Sequence, residues 1–118
     1  MISDEIRDEW FAFRREVNAE AAVSKEGQGA LFRLFDRYES LSALERSCVD
    51  ELIAEQVLSP DETDRFDAVA LTDKFAIVSA VPALRMLAAR LEGETQAGAP
   101  YEWAKVNRVI GNLVGTMP

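Results

Sequence analysis

The sequence predicts an all-α fold in which about six helices form one compact domain over residues 1–118. Three observations support this fold class. Apolar residues recur at the three- and four-residue spacing of an amphipathic helix along most of the chain. The alternation of apolar and polar residues that would indicate strands is nearly absent. The glycines cluster where helices are expected to end, which favours short connections between them.

The first half of the chain predicts three helices. The first covers Ser3 to about Ala21, and a polar break follows at Ser24–Gly29. The second covers Ala30–Glu39. The third begins with Ser42 and Glu45, which have the spacing of a capping box, and it ends near Leu58. In a capping box each of the two side chains accepts a hydrogen bond from the backbone N–H of the other residue.

The inward faces of these three helices follow from their apolar spacing. Cys48 lies in such an apolar row, so we expect it to be a small core residue rather than a reactive thiol. The expected core residues are Ile6, Trp10, Phe13, Val17, Leu31, Leu34, Phe35, Tyr38, Leu44, Cys48, Val49, Leu52, Ile53 and Val57.

The stretch from Ser59 to Gly93 predicts an αα-hairpin, and its first helix runs to about Phe75. Ser59 is the expected N-cap, Pro60 the first helical residue, and Glu62 the second member of a capping box. The apolar residues expected on this helix's buried stripe are Phe66, Ala68, Val69, Ala70, Leu71 and Phe75.

The second helix of the hairpin is expected over Ala80–Leu91. Pro82 is tolerated only in a first turn, which predicts the cap near Ser79. Gly93 is expected to end the helix as a left-handed residue. The residues at core spacing in this helix are Leu84, Leu87, Ala88 and Leu91.

The hairpin resembles a HEAT-type helical repeat. The resemblance rests on the pattern Arg65…Ala68…Leu71…Phe75, Ile77 and then Ala80-Val81-Pro82-Ala83-Leu84…Leu87…Leu91. It implies two antiparallel helices joined by a short link, in a fold that presents a surface to another protein. Residues 27–58 would then form either a second, divergent hairpin or an unrelated pair of helices.

A last helix is expected over Tyr101–Val114, after a small polar linker at Gly93–Pro100. Trp103, Val106, Ile110 and Leu113 are expected to face inward. Tyr101, Lys105 and Arg108 would lie nearer the rim. Aromatic residues and arginine contribute much of the binding energy at protein interfaces, so these three rim residues are candidate partner contacts.

Charge indicates what kind of partner to expect. The chain carries a formal net charge of −8, to which residues 1–58 contribute −6, residues 59–94 −3 and residues 95–118 +1. An acidic surface repels phosphate backbones, which disfavours nucleic acid and favours a basic protein partner. Asp61 and Asp64 are candidate contacts to such a partner. The simpler reading is that the acidic charge keeps the protein soluble.

Catalytic and cofactor motifs are missing from the sequence. The chain has no histidine, so nucleophile–histidine arrangements are absent. Carboxylate pairs such as Glu16 with Glu20 have helical spacing, but such pairs are more often a solvated helix face than a metal site. The short Gly27-Gln28-Gly29 segment lacks the strand and lysine of a phosphate loop. We therefore expect no catalytic residues, no cofactor and no metal, and a protein that is not an enzyme.

No apolar run has the length of a membrane span, and the acidic start Met1-Ile2-Ser3-Asp4-Glu5 is unlike a secretory signal. We expect a cytoplasmic protein without a membrane partner. The predicted function is a non-catalytic protein-interaction module with an acidic surface. A bacterial immunity- or antitoxin-like protein that occludes a basic partner enzyme is a specific version of it. The alternative is a helical regulator that binds a small molecule or a metal. The sequence leaves the oligomeric state open.

Overall fold

A computed structural model describes residues 2–24 and 27–116 of the chain. Within these ranges the backbone forms six α-helices, one short 3₁₀ helix at Val78–Ala80 and no strand. The predicted all-α fold is thereby confirmed. The helices are α1 (Ile2–Ser24), α2 (Gly27–Glu39), α3 (Ala43–Val57), α4 (Glu62–Phe75), α5 (Val81–Glu92) and α6 (Ala99–Thr116).

The described residues fall into two compact units that divide between Leu52 and Ile53, inside α3. The first unit contains α1 and α2, and the second contains α4, α5 and α6. The prediction of one domain over residues 1–118 stays a prediction. None of the helices in the described ranges is both long enough and apolar enough to cross a membrane.

In the first unit α1 packs against α2. The predicted inward residues Ile6, Trp10, Val17 and Leu34 are all buried. Tyr38 is also buried, and its hydroxyl donates a 2.6 Å hydrogen bond to Oδ1 of Asp50 on α3. Burial and the Asp50 carboxylate both raise the pKa of Tyr38, because each disfavours a charged phenolate.

The ends of the first helices differ slightly from the prediction. Helix α1 extends three residues past Ala21, and Gly27–Gly29 belongs to α2 instead of to a polar break. The other part of the predicted break, residues 25–26, lies outside the described residues. A glycine in a helix costs only about 1 kcal/mol relative to alanine, so favourable packing further along can extend a helix through it.

The capping box at the start of α3 is confirmed. The backbone N–H of Ser42 donates to Oε1 of Glu45 at 2.9 Å, and the N–H of Glu45 donates to Oγ of Ser42 at 3.2 Å. Hydrogen bonding from the backbone and side chain of Ser42 to the Glu45 carboxylate lowers the pKa of Glu45, because it stabilises the ionised form. The expected core position of Leu44 is wrong, since its side chain is exposed, and Cys48 is only half-buried.

Helix α4 begins two residues later than predicted, because Asp61 rather than Ser59 is its N-cap. Oδ1 of Asp61 accepts hydrogen bonds from the backbone N–H groups of Thr63 and Asp64, at 2.8 and 3.2 Å. An ionised carboxylate at the positive end of the helix dipole is a stronger acceptor than a hydroxyl. Pro60 therefore lies before the helix. Ser59 Oγ supports the cap from outside, since it accepts from the N–H of Asp61 and donates to Oδ2 of Asp64.

The left-handed residue of this region is Ala76 and not Gly93. Ala76 ends α4 with φ 51° and ψ 53°, and its N–H donates to the carbonyl of Thr72. A left-handed backbone costs about 1–2 kcal/mol for a residue with a Cβ. Gly93 does end α5, but in the right-handed region with φ −88°.

The N-cap of helix α5 lies one residue after the position predicted near Ser79, and it makes no side-chain hydrogen bond. Its N-cap is Ala80, the last residue of the 3₁₀ helix, whose hydrogen bonding leads directly into α5. Pro82 lies in the first turn, as predicted. Leu84, Leu87 and Leu91 are buried, which confirms the predicted core face of α5.

Helix α6 packs most extensively against α5 and also contacts α4. It begins at Ala99, two residues before the predicted start, so Pro100 falls in its first turn. Its buried face contains Val106, Val109 and Leu113. The expected burial of Trp103 is wrong: that side chain is 39% exposed. At 3.6 residues per turn, Trp103 falls on one edge of the buried face and Lys105 on the other. The HEAT resemblance of residues 59–93 stays a prediction.

Candidate functional site

A groove in the second unit, between α4 and α6, is the strongest candidate site. It has a volume of about 620 Å³. Residues of α4 form one wall and residues of α6 form the other. Its lining consists of Glu62, Arg65, Phe66, Val69, Gly98, Tyr101, Glu102, Ala104, Lys105, Val106 and Arg108.

The groove has a buried apolar floor and exposed aromatic side chains. Val69 and Val106 are buried and belong to the core of the unit. Phe66 is 51% exposed and Tyr101 is 86% exposed, although both are large. An exposed aromatic surface above a packed floor is the kind of surface that gains free energy when an apolar partner covers it.

One ion pair holds the two walls together. Arg65 of α4 donates from Nε and from one terminal nitrogen to the two carboxylate oxygens of Glu102 of α6, at 2.7 and 3.0 Å. The other terminal nitrogen donates to the carbonyls of Ser59 and Pro60. Both side chains are mostly buried. Hydrogen bonding to Glu102 raises the pKa of Arg65, which stays cationic, and this two-point contact fixes the spacing of α4 and α6.

A cation and an aromatic ring meet further along the same groove. The ammonium nitrogen of Lys105 lies 4.1 Å from the centre of the Phe66 ring, within the range of a cation–π interaction. Burial and the neighbouring charge of Arg108 lower the pKa of Lys105, while Asp73 and Glu102 oppose that shift. Burial favours the neutral amine because it removes water from the charged form.

The structure brings together three of the five predicted contact residues. Tyr101, Lys105 and Arg108 all line the groove. Asp61 and Asp64 lie outside its lining, at the start of α4, and both engage in the capping hydrogen bonds of that helix. The predicted set therefore divides into three groove residues and two capping residues.

No protein family, curated protein or solved structure matches this chain. Its functional interpretation therefore rests on the groove.

The α4 wall was missed by sequence reasoning. Phe66 was expected in the core, because its spacing from Val69 is that of a buried stripe, yet it lies at the edge of that stripe. The contact of Arg65 with Glu102 joins residues 37 positions apart, and single-chain spacing carries no signal for such a pair. On α6, by contrast, Tyr101, Lys105 and Arg108 recur at i, i+4 and i+7, and this spacing places them on one face of the helix.

A second, smaller depression lies between α5 and α6, with a volume of about 330 Å³. Trp103 forms part of its lining, and Asn107 beside it donates a 2.9 Å hydrogen bond to the Trp103 carbonyl. Trp103 and Lys105 thus lie on separate sides of α6. Among the residues that the structure describes, the lining of the smaller depression contains no ion pair like Arg65–Glu102.

The groove's residues are suited to binding. Its charged groups are a matched ion pair, two further cations and Glu62, Tyr101 adds a hydroxyl, and none of its lining residues is a histidine or a cysteine. Across the described residues, the structure places no three or more His, Cys, Asp or Glu side chains close enough to hold a metal ion together. The arrangement can cover an apolar group and orient a charged one.

Proposed function

We propose that this chain is a non-catalytic protein-interaction module that binds an apolar segment of a partner protein in the α4–α6 groove. The observation that carries the proposal is the exposure of Phe66 and Tyr101 above the buried floor formed by Val69 and Val106. Aromatic side chains on a rigid support are the residue type that most often dominates binding at protein interfaces.

The Arg65–Glu102 pair supports this proposal. A groove whose walls are already held at a fixed spacing loses little conformational entropy when a partner binds. Less of the binding free energy is then lost to ordering the groove when the partner binds. A location in the cytoplasm is part of the proposal and follows from the sequence expectation.

A basic partner, and the immunity- or antitoxin-like version of the module, stay predictions that rest on the net charge of −8. Asp61 and Asp64 are unsuitable positions for testing charge steering. Replacing Asp61 by asparagine would remove negative charge from the cap of α4, and replacing Asp64 would also alter its hydrogen bond with Ser59. The exposed Glu62, which also lines the groove, is a better position, because its side chain is not part of the cap.

The experiment is affinity capture from the native cell with three forms of the purified chain. The wild-type chain is compared with Phe66→Ser, which removes the exposed ring, and with Met86→Ser. Met86 is a matched control, because it is 61% exposed and lies on α5, outside the groove lining. Circular dichroism checks that all three forms are folded and equally helical.

The proposal predicts a partner that the wild-type chain and Met86→Ser both retain and that Phe66→Ser loses. Binding of the recovered partner to the three purified forms should then fall at least tenfold for Phe66→Ser alone. A partner that binds Phe66→Ser as tightly as wild type would refute the groove as the contact surface.

A small-molecule-binding regulator is a second candidate, favoured by the size of the groove. Sites for small molecules have volumes of about 300–1,000 Å³ and a mainly apolar lining with a few polar groups. The groove's volume of about 620 Å³ lies within that range. Native mass spectrometry of the purified chain tests this candidate. A bound small molecule that is released by denaturation, and that Phe66→Ser fails to retain, would favour the regulator over the protein-interaction module.

A further inference from the structure

We propose that the partner segment bound in the α4–α6 groove carries a carboxylate side chain next to an apolar one, with the carboxylate placed by Lys105 and Arg108. This inference rests on the proposed function and adds the chemistry of the occupant. It differs from the basic partner that the net charge of the whole chain predicts.

The first supporting observation is the position of the two cations. Lys105 and Arg108 are one turn apart on α6, so they lie on the same face of the helix and both line the groove. Among the described residues the structure shows no ion pair for either of them. The third cation of the groove, Arg65, differs because Glu102 already neutralises it.

The second observation is that Lys105 is partly removed from water. Lys105 is half-buried, and its ammonium nitrogen lies 4.1 Å from the centre of the Phe66 ring. Burial and the charge of Arg108 both disfavour the protonated form. A carboxylate at this point would relieve both effects, since it offers the ammonium group an acceptor and offsets the second positive charge.

Acidic groups near the groove limit how much negative charge the occupant can carry. Asp73 and Glu102 act on Lys105, and Glu62 lies in the groove lining beside the Arg65 end. A strongly acidic segment would be repelled by these groups and by the net charge of −8. The charges around the groove therefore favour a partner segment with one carboxylate over a segment with several consecutive acidic residues.

The apolar part of the occupant follows from the remaining lining. Phe66 is next to Lys105, and the floor beneath is formed by Val69 and Val106. A leucine, methionine or aromatic side chain beside the carboxylate would cover the exposed face of Phe66 while the carboxylate contacts the cations. A free phosphate or a lone carboxylate would leave that apolar surface uncovered.

The probe for this inference is a displayed library of random short peptides, selected on the full wild-type chain. Selections are repeated on Phe66→Ser, on the double variant Lys105→Gln with Arg108→Gln, and on Arg85→Gln. Arg85 is an exposed arginine on α5 outside the groove lining, so its variant controls for the loss of a positive charge elsewhere. Circular dichroism again checks that each variant is folded.

We expect the wild-type chain and Arg85→Gln to enrich peptides in which Asp or Glu adjoins a large apolar residue. Changing the acid of an enriched peptide to its amide should weaken binding to wild type about tenfold or more, as loss of a charged hydrogen bond does. The same change in the peptide should not affect its binding to the double variant, because that variant lacks the two cations that contact the carboxylate.

Two other results would overturn the inference, and they are distinguishable. Enriched peptides that require Phe66 but show no preference for an acid would refute the carboxylate and leave the interaction module standing. A selection that yields no peptide dependent on Phe66 would refute both the carboxylate and the groove as a protein-binding surface.

Discussion

The ammonium nitrogen of Lys105 lies 4.1 Å from the centre of the Phe66 ring, and this contact joins α6 to α4. The negative face of an aromatic ring attracts a cation, and the attraction is stronger where water is partly excluded. The contact holds the Phe66 ring on the wall of the groove. Burial of Lys105 and the charge of Arg108 lower its pKa, while Asp73 and Glu102 oppose that shift.

The first prediction concerns the pKa of Lys105. In the Arg108→Gln variant that pKa should rise, because the removed positive charge disfavours protonation of the ammonium group. NMR titration of the lysine Cε–Hε signals measures the shift. Arg85→Gln is the control and should leave the pKa of Lys105 unchanged. A pKa that stays the same in Arg108→Gln would show that burial alone accounts for the lowered value.

The second prediction concerns the ion pair between α4 and α6. Glu102→Gln should lower the free energy of unfolding by about 1.5–3 kcal/mol, because Arg65 then loses its charged hydrogen-bond partner in a mostly buried position. Urea unfolding measures the change. The matched control is Glu51→Gln, an exposed glutamate on α3, which should change stability by no more than about 0.5 kcal/mol. Equal effects of the two substitutions would mean that the pair contributes nothing specific.

The third prediction tests the start of α4. Asp61→Ala should cost about 0.5–2 kcal/mol, since the backbone N–H groups of Thr63 and Asp64 lose their acceptor. Asp61→Asn should retain most of the stability, because asparagine is an N-cap of similar quality. Chemical denaturation of both variants provides the comparison. If Asp61→Ala is as stable as Asp61→Asn, Asp61 does not cap the helix.

These positions show which structural features the local sequence pattern predicts. The all-α class, the Ser42–Glu45 box and the core row of α5 could be predicted, because each depends on residues that are neighbours on one helix. Ser59 was predicted to be the N-cap of α4, but aspartate is as common an N-cap as serine, so residue type alone does not decide between Ser59 and Asp61. Which of them accepts the two N–H groups depends on the path of the chain before α4, and local sequence contains no signal for that path.

The groove could be predicted only on its α6 side. Tyr101, Lys105 and Arg108 share a helix face, and helical spacing is readable from sequence. The exposure of Phe66 and Trp103 depends on the direction from which the neighbouring helix approaches. Successive side chains on a helix point about 100° apart. A small error in the predicted direction of the buried face therefore assigns residues at its edge to the core when they lie at the rim.

The fourth prediction tests the core of the second unit. Leu84→Ala should cost about 2–5 kcal/mol, because Leu84 is fully buried and its truncation leaves a cavity. Met86→Ala, two residues further along the same helix, removes a similar volume from an exposed position and should change stability by about 0.5 kcal/mol or less. Urea midpoints that shift equally in the two variants would contradict the burial of Leu84.

The fifth prediction concerns alkaline stability and Tyr38. Its pKa is raised in the folded state, so the unfolded chain releases the phenolic proton first, from about pH 10 upward. The stability that Tyr38 contributes is therefore present below about pH 10 and is lost as the pH rises above it. Tyr38→Phe should be about 1–3 kcal/mol less stable near neutral pH, because the part-buried Asp50 loses a donor.

Above about pH 10, the stability of Tyr38→Phe should fall less steeply than that of the wild type. Urea unfolding at a series of alkaline pH values measures both effects. The matched control is Tyr101→Phe, since Tyr101 is 86% exposed and should not change stability near neutral pH. Parallel alkaline losses in wild type and Tyr38→Phe would rule out a raised pKa for Tyr38.

The chain's two tryptophans give each unit its own fluorescent reporter. Trp10 is fully buried on α1 in the first unit, and Trp103 is partly exposed on α6 in the second. An indole shielded from water emits at shorter wavelength than a hydrated one, so Trp10 should emit at shorter wavelength than Trp103. Replacing either indole by phenylalanine leaves a single tryptophan. Unfolding of each half of the molecule can then be followed by light alone, and any difference between the two transitions measures how strongly the units cooperate.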